Sequence, residues 1–175
     1  MADIKRITTK NILYLFTDGS VNPQEKIGFA TYLLIDNLDI NSASNLNNLN
    51  TLKNTIKCKM FEDTSSTKLE VQTLLWALGQ IDIKDAKLII YTDCQNIIGL
   101  DNRREKLEKN NYYSKTGKQI KNHLLYKEYY SCIDKISYEF IKVKGHKKSY
   151  LKDNIDNIFT LVDKASRNAL REYLG

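Results

Sequence analysis

The chain of 175 residues lacks three features that mark large classes of proteins. It has no apolar run near the ~20 residues that a membrane-spanning helix requires. Its first residues, 1–6, carry no apolar block of the kind found in signal peptides. Its three cysteines are odd in number and form no C-x-x-C pair, which argues against a disulfide framework or a zinc site. We therefore expect a soluble, cytoplasmic protein that does not contact membranes.

The composition is that of an ordinary folded domain with a positive charge. Hydrophobic residues make up 42% of the sequence, which is enough for a sizeable core. No internal repeat or linker is visible, so we predict a single domain over residues 1–175. The formal net charge is +6 despite 21 acidic residues. Such a charge favours polyanionic partners but identifies no particular one.

Two apolar segments end in the same pattern. Residues 12–18 (ILYLFTD) and 88–93 (LIIYTD) each close on an aromatic residue, a threonine and an aspartate. Near-continuous apolar runs of this length are typical of strands buried on both faces of a parallel sheet. A carboxylate at the end of a buried strand loses hydration and needs a cation as its partner. Asp18 and Asp93 in matching positions therefore indicate a shared metal site.

Each of these aspartates also has an ordinary structural explanation. Asp18, followed by Gly19 and Ser20, begins a typical turn sequence. Asp93 precedes a stretch without a helix breaker until Gly99, so it suits the N-cap of a helix. The repeated pattern weakens these alternatives without removing them.

The predicted order of elements is β-β-β-α-β-α-α-β-α. Strands are predicted at residues 12–18, 28–35, 55–61, 88–93 and 138–143, and helices at 69–81, 94–110, 121–136 and 159–174. The Asn-rich residues 36–54 are predicted as a long exposed hairpin loop. Three antiparallel strands followed by right-handed helical crossovers give an α/β fold, with a five-stranded mixed sheet flanked by helices. Strands four and five then run parallel to strand one, and Asp18 and Asp93 lie side by side at the ligand-binding edge.

Two further acids are predicted near helix starts. Glu70 is expected in the first turn of a helix that Ser66 or Thr67 caps. Asp163 is expected to open the last helix. An acid in either place commonly complements the helix dipole, so each alone has a structural explanation. Four carboxylates from two strands and two helices would instead suit Mg²⁺, which prefers oxygen ligands.

Five segments, in this order along the chain, resemble the ribonuclease HI family. They are YLFTDGS at 14–20, TKLE at 67–70, YTDCQ at 91–95, VKGH at 143–146 and VDKAS at 162–166. The resemblance covers nearly the whole chain and implies the ribonuclease H-like fold. It also implies that four acids bind metal while His146 assists proton transfer or product release. The implied metal ligands are Asp18, Glu70, Asp93 and Asp163.

The same resemblance implies how a substrate is held. Residues 103–121 resemble the family's basic handle, a projection that grips the DNA strand. Lysines interleaved with tyrosines suit a nucleic-acid backbone and its bases. The implied substrate-binding residues are Gly19, Ser20, Asn22, Ser66, Thr67, Tyr112, Tyr113, Lys115, Lys118 and Lys121.

The implied function is an endoribonuclease that acts as a monomer on RNA–DNA hybrids. It would cut the RNA strand with two Mg²⁺ ions, for which Mn²⁺ would substitute, and leave 5′-phosphate and 3′-hydroxyl ends. Two alternatives are a DNA-processing nuclease or strand-transfer enzyme of the same fold, and a catalytically silent hybrid-binding module. The chain departs from the family pattern in a short turn after Asp18 and a longer loop at 147–162. It also has Phe159 where the family often has Asn.

Overall fold

Five strands form one mixed sheet, which is antiparallel on one side of its central strand and parallel on the other. The computed structural model describes residues 11–36, 40–41, 45–144 and 147–175. The strands are β1 (Asn11–Asn22), β2 (Ile27–Asp36), β3 (Lys57–Phe61), β4 (Ala86–Thr92) and β5 (Ser137–Lys142). They lie in the order β3-β2-β1-β4-β5. The pairs β1–β2 and β2–β3 are antiparallel, whereas β1–β4 and β4–β5 are parallel. The predicted sheet topology is therefore confirmed.

Helices lie on both faces of this sheet. They are α1 (Leu46–Lys53), α2 (Ser66–Gln80), α3 (Gln95–Ile98), α4 (Leu100–Lys109), α5 (His123–Ile133) and α6 (Asn154–Leu174), with a short 3₁₀ turn at Ser149–Leu151. Among the residues that the structure describes, no helix is both long and apolar enough to cross a membrane.

Side chains of alternate residues in the central strands pack into two separate hydrophobic cores, one on each face of the sheet. Leu15 of β1 packs in a cluster with residues of α2 and α5, whereas the next residue, Phe16, packs with residues of α6. Both side chains are fully buried. The period of two in a strand sends neighbouring side chains to opposite faces, so a sheet covered on both sides requires continuous apolar runs. This is the physical basis of the apolar runs in the sequence.

The Asn-rich stretch is not simply a loop. Residues 46–53 form α1, which begins after Asn45, whose side chain accepts a hydrogen bond from the amide of Asn47. Leu49 and Leu52 of α1 pack in the same core as Ile158 of α6. The prediction of an exposed loop is wrong for these residues, because two leucines one turn apart gain a buried surface. Residues 37–39 and 42–44 of the stretch lie outside the described residues.

Two helices begin earlier than predicted. α6 begins at Asn154, because Asp153 and Asp156 form a reciprocal capping box at its start. Asp163 therefore lies well inside α6 and does not open it. The sequence offered Ser65, Ser66 and Thr67 as caps for α2, and the observed cap is Ser65, whose side chain accepts a hydrogen bond from the amide of Lys68.

The same shift at α2 changes the position of its acid. Glu70 lies in the second turn of α2, and no acid occupies the first turn. Compensation of the helix dipole, which is strongest in the first turn, therefore accounts for neither Glu70 nor Asp163. The structural explanations that the sequence offered for both acids are wrong.

Candidate active site

The register between β1 and β4 places the two pattern aspartates alongside each other. Phe16 pairs with Tyr91, and their rings stack with centroids 4.6 Å apart. Asp18 follows Phe16 by two positions within β1 and so lies on the same face of the sheet, and Asp93 follows Tyr91 by two positions, just past the end of β4. Both acids lie just beyond Phe16 and Tyr91, the last parallel pair of residues, at the end of the sheet where β1 and β4 separate.

Neither aspartate has the structural role that a turn or a cap would give it. Asp18 lies inside β1, where it pairs with Thr31 of β2. The turn of this hairpin comes only after Asn22, so the turn prediction for Asp18 is wrong. The cap of α3 is Cys94, whose sulfur accepts a hydrogen bond from the amide of Ile97. Asp93 is therefore the exposed residue between the end of β4 and that cap.

The threonine of the second motif explains why β4 ends at this point. Thr92 is buried, and its hydroxyl oxygen accepts a hydrogen bond from the amide of Cys94 at 3.1 Å. This contact turns the chain immediately after Asp93 and leaves the carboxylate at the edge of the sheet. The motif thus combines an acid with the residue that ends its strand.

Two glycines determine where Glu70 lies. A Cβ atom added at Gly19 or at Gly28 would lie 2.7 Å from a methyl carbon of Leu69. Only glycine at both strand positions therefore lets Leu69 seat α2 directly on β1 and β2. Leu69 is 1% exposed and immediately precedes Glu70. Gly19, predicted as a turn residue, instead permits the close approach of a helix.

Glu70 is held by the cap of α3. The thiol of Cys94 donates a hydrogen bond to Oε2 of Glu70. Burial raises the pKa of Glu70, the hydrogen bond from Cys94 opposes this rise, and the charge of Asp93 adds to it. Burial and the bond to Glu70 raise the pKa of the Cys94 thiol to about 12, so the thiol keeps its proton at neutral pH. Glu70, Asp93 and Asp18 line one narrow cleft.

Asp163 approaches the same place from α6. Its Oδ1 lies 2.7 Å from Nε of Arg167, one turn further along the helix. Asp163 and Asp93 line a second cleft of about 130 Å³, which also carries Lys144, Lys147 and Lys152. Asp93 therefore belongs to both clefts and lies between Glu70 and Asp163.

Asp18 carries the strongest sign of an incomplete charge balance. Its pKa is raised to about 7, chiefly because the carboxylate is buried. A hydrogen bond from Ser166 lowers the pKa, whereas the charges of Asp93 and Asp163 raise it further. A bound cation would favour the ionised form and remove this penalty.

These carboxylates fit a divalent cation by their chemistry. Oxygen ligands are what Mg²⁺ prefers, and the buried carboxylate of Asp18, which Asp93 and Asp163 repel, needs a counter-charge. Within the described residues, no three His, Cys, Asp or Glu side chains are already gathered closely enough to form a ligand cluster.

Ser166 is a site residue that the sequence did not single out. It is fully buried on α6, and its hydroxyl donates to Oδ2 of Asp18 at 2.9 Å. The Oγ atom of Ser166 also lies 3.0 Å from Oγ of Ser20 and 3.0 Å from the carbonyl oxygen of Asp163. Ser166 thus connects the carboxylate of Asp18 with the backbone of α6 at Asp163. A small polar residue three positions after a helical acid was the only signal available.

A second polar contact fixes α6 over the sheet. The hydroxyl of Thr31 donates to the carbonyl oxygen of Val162 at 3.0 Å. Thr31 is fully buried and pairs with Asp18 across β1 and β2. The position of Asp163, the next residue after Val162, therefore depends on a threonine of the neighbouring strand.

The structure separates the ten predicted substrate-binding residues into three with structural contacts, six that are exposed, and Ser20, which is half-buried. Gly19, Asn22 and Tyr112 have structural contacts that the sequence did not indicate. The side-chain oxygen of Asn22 accepts from the amides of Gln24 and Glu25 and shapes the hairpin turn. Tyr112 is only 6% exposed, so its ring is not available for stacking on a base. The exposed group is Ser66, Thr67, Tyr113, Lys115, Lys118 and Lys121, while Ser20 is half-buried beside Ser166.

Lys121 lies in a groove close to the start of α2. The groove has a volume of about 480 Å³ and runs between the β1–β2 turn, the start of α2 and the start of α5. Lys26 and Lys68 also line it. His146 and the preceding Gly145 lie outside the described residues, so the assisting role implied for His146 stays a prediction.

Comparison with known proteins agrees with this arrangement. A ribonuclease H of Clostridium botulinum strain Hall is 28% identical over 102 residues, covering 57% of this chain and 68% of its own length. A ribonuclease H of Caldicellulosiruptor saccharolyticus is 27% identical over 113 residues, covering 63% of this chain and 72% of its own length.

Solved structures and a family model extend the match to most of the chain. A foamy viral protease-reverse transcriptase, solved in complex with double-stranded DNA, superposes with a TM-score of 0.57. The match covers 90% of this chain and 94% of that chain at 9% identity, and so it speaks for the fold alone. The family model of RNase H matches residues 10–170. The chain is therefore a member of the RNase H family and a ribonuclease H enzyme.

Proposed function

We propose that the chain is a single-domain endoribonuclease that hydrolyses the RNA strand of RNA–DNA hybrids. The observation that carries the proposal is the register of β1 and β4, which sets Asp18 beside Asp93. The raised pKa of Asp18 supports it, because a buried carboxylate that two neighbouring acids repel calls for a cation at this point. Membership of the RNase H family supports the choice of substrate.

In this proposal Asp18, Glu70, Asp93 and Asp163 would hold two Mg²⁺ ions, with Asp18 contributing to the binding of each. The ions, when bound, would lower the pKa of the attacking water and stabilise the leaving 3′ oxygen. The products would carry 5′-phosphate and 3′-hydroxyl ends. Ser166 and Cys94 keep Asp18 and Glu70 aimed at the cleft through their hydrogen bonds. His146 would assist proton transfer or product release.

The substrate would be held outside the acidic cleft. Asn22, at the end of β1, and Ser66 or Thr67, at the start of α2, would contact the 2′-hydroxyls that distinguish RNA from DNA. Lysines of residues 110–122 would contact the phosphates of the other strand. The groove that contains Lys121 lies between the start of α2 and residues 110–122. Its position supports a substrate that crosses the end of the sheet at which the acids lie.

The test is cleavage of a labelled RNA–DNA hybrid beside double-stranded RNA and double-stranded DNA. Each substrate is incubated with and without Mg²⁺, using the wild type and Asp93→Asn. We expect cleavage of the RNA strand of the hybrid alone, dependent on Mg²⁺ and lost in Asp93→Asn. Absence of RNA cleavage by the wild type would rule out the proposed activity. Cleavage of double-stranded DNA would favour a DNA-processing nuclease instead.

A further inference from the structure

The short segment between β5 and α6 is rich in lysine and exposes two large side chains to solvent. We call residues 147–152 the basic turn. They contain three lysines, Lys147, Lys148 and Lys152, together with Tyr150 and Leu151. The turn adjoins the cleft lined by Asp93 and Asp163. None of the roles assigned above uses it.

The basic turn is attached to α6 by specific contacts. Nζ of Lys147 lies 2.7 Å from Oδ2 of Asp156, a carboxylate that is 6% exposed. Lys152 donates to the hydroxyl oxygen of Thr160 at 2.8 Å. The amide of Leu151 donates to the carbonyl oxygen of Lys148 at 2.9 Å. A partly buried ion pair, a side-chain hydrogen bond and a backbone hydrogen bond thus fix the turn over the first part of α6.

The turn presents an aromatic ring to solvent. Tyr150 is 78% exposed and Leu151 is 61% exposed. Nζ of Lys148 lies 6.0 Å from the centroid of the Tyr150 ring. The two apolar side chains therefore contribute little to the core, although the backbone beneath them is held. An exposed ring beside a cation is the arrangement on which unpaired bases stack.

The charges beside the turn suit a polyanion. Lys144, Lys147, Lys152 and Arg167 line the same cleft as Asp93 and Asp163. A phosphate chain that approaches two carboxylates is repelled unless cations lie along its path. Lys147 pairs with Asp156 and Arg167 pairs with Asp163. Lys144 and Lys152 are therefore the cations of this cleft that offset the remaining repulsion.

We propose that the basic turn binds a single-stranded extension of the substrate as it leaves the cleft, with Tyr150 stacking on an unpaired base. This inference rests on the proposed function, because the cleft is taken to hold a nucleic acid. It concerns a single strand because bases inside a duplex are covered on both faces by their neighbours. The lysines bind phosphates of either RNA or DNA, so the shared chemistry is that of an unpaired polynucleotide strand.

The experiment measures binding and not cleavage. The full-length Asp93→Asn protein is titrated without divalent metal against a blunt RNA–DNA hybrid, and against the same hybrid with an unpaired RNA or DNA extension. Tyr150→Ala is then added to this background. We expect it to weaken binding of extended hybrids about tenfold and to leave binding of the blunt hybrid unchanged. Tyr150→Phe, which retains the ring, should bind as the parent does.

The matched control is Tyr173→Ala, which removes another exposed tyrosine near the C-terminus of α6. It should change neither affinity. Equal weakening on blunt and extended hybrids would overturn the proposal, as would no change on either. A change of oligomeric state in Tyr150→Ala, measured by light scattering, would instead assign Tyr150 and Leu151 to a contact between copies. Because binding needs no cleavage, loss of the proposed activity and loss of this inference are separate outcomes.

Discussion

The acidic centre and the basic periphery of this protein are built in opposite ways. Each of three acids has a defined partner in the fold: Asp18 has Ser166, Glu70 has Cys94, and Asp163 has Arg167. By contrast, the lysines of residues 110–122 are exposed, on a segment whose only β-bridge joins Tyr113 to Gln119 among the described residues.

The difference follows from the function proposed for each region. Catalysis by metal ions requires oxygen atoms at defined positions, because small displacements of ligands cost a large part of the rate. Attraction of a phosphate backbone requires only that positive charge lie nearby, since the interaction is sequence-independent and long-ranged. Substitutions in the two regions should therefore differ in size and in kind.

The largest expected effect is the loss of an acid from the centre. Asp18→Asn keeps the shape of the side chain but removes its negative charge and replaces one of its two carboxylate oxygens with an amide nitrogen, which cannot bind a cation. We expect hybrid cleavage to fall by more than about 100-fold, beyond the range typical of residues that only orient a ligand. Steady-state cleavage of a labelled hybrid in Mg²⁺ measures this. Asp85→Asn, an exposed acid before β4 at the opposite edge of the sheet, is the control.

Two adjacent tyrosines allow a sharper comparison of fold and periphery. Tyr112 is 6% exposed and Tyr113 is 47% exposed. We expect Tyr112→Ala to lower the free energy of unfolding by about 3 kcal/mol, since a buried aromatic ring is lost. Tyr113→Ala should leave stability nearly unchanged and weaken hybrid binding. Urea unfolding and a binding titration of both variants distinguish the two roles, and equal stabilities would contradict the placement of Tyr112.

An intermediate effect is expected from the serine that connects the carboxylate of Asp18 with the backbone of α6. Ser166→Ala removes the hydrogen bond to Asp18 at 2.9 Å. We expect a loss of about 10- to 100-fold in activity at limiting Mg²⁺, because partners that orient a ligand typically contribute this much. Saturating Mg²⁺ should restore part of it. Ser131→Ala, which alters an exposed serine of α5, should show no dependence of this kind.

The smallest effects belong to single lysines of the periphery. Lys118→Ala and Lys121→Ala should each weaken hybrid binding a few-fold and reduce the salt dependence of log K by about 1, as expected for one lost phosphate contact. The rate of cleavage at saturating substrate should not change. Lys84→Ala, an exposed lysine at the other edge of the sheet, should leave both quantities as they are. A large fall in the cleavage rate of Lys118→Ala at saturating substrate would contradict the comparison, because the periphery would then contribute to the rate of cleavage as the acidic centre does.

Local patterns predicted the elements that carry their own signal. The two aromatic-Thr-Asp endings, the apolar runs and the crossover helices were sufficient to place β1 next to β4 in parallel. Helix starts were less accurate. The start of α6 was placed five residues too late because the capping pair Asp153 and Asp156 was not recognised. Leu49 and Leu52 were not recognised as the apolar side of a helix, since asparagines surround them.

The sequence by itself determined the family, the order of strands and the four acids proposed as metal ligands. These depend on residue types at fixed spacings, which a chain displays before it folds. Only the tertiary structure decided that Ser166 contacts Asp18, that Gly19 admits Leu69, and that Tyr112 rather than Tyr113 is buried. The physical reason is that such roles depend on contacts between residues far apart in sequence. Spacing along the chain does not encode which of two adjacent tyrosines will meet the core.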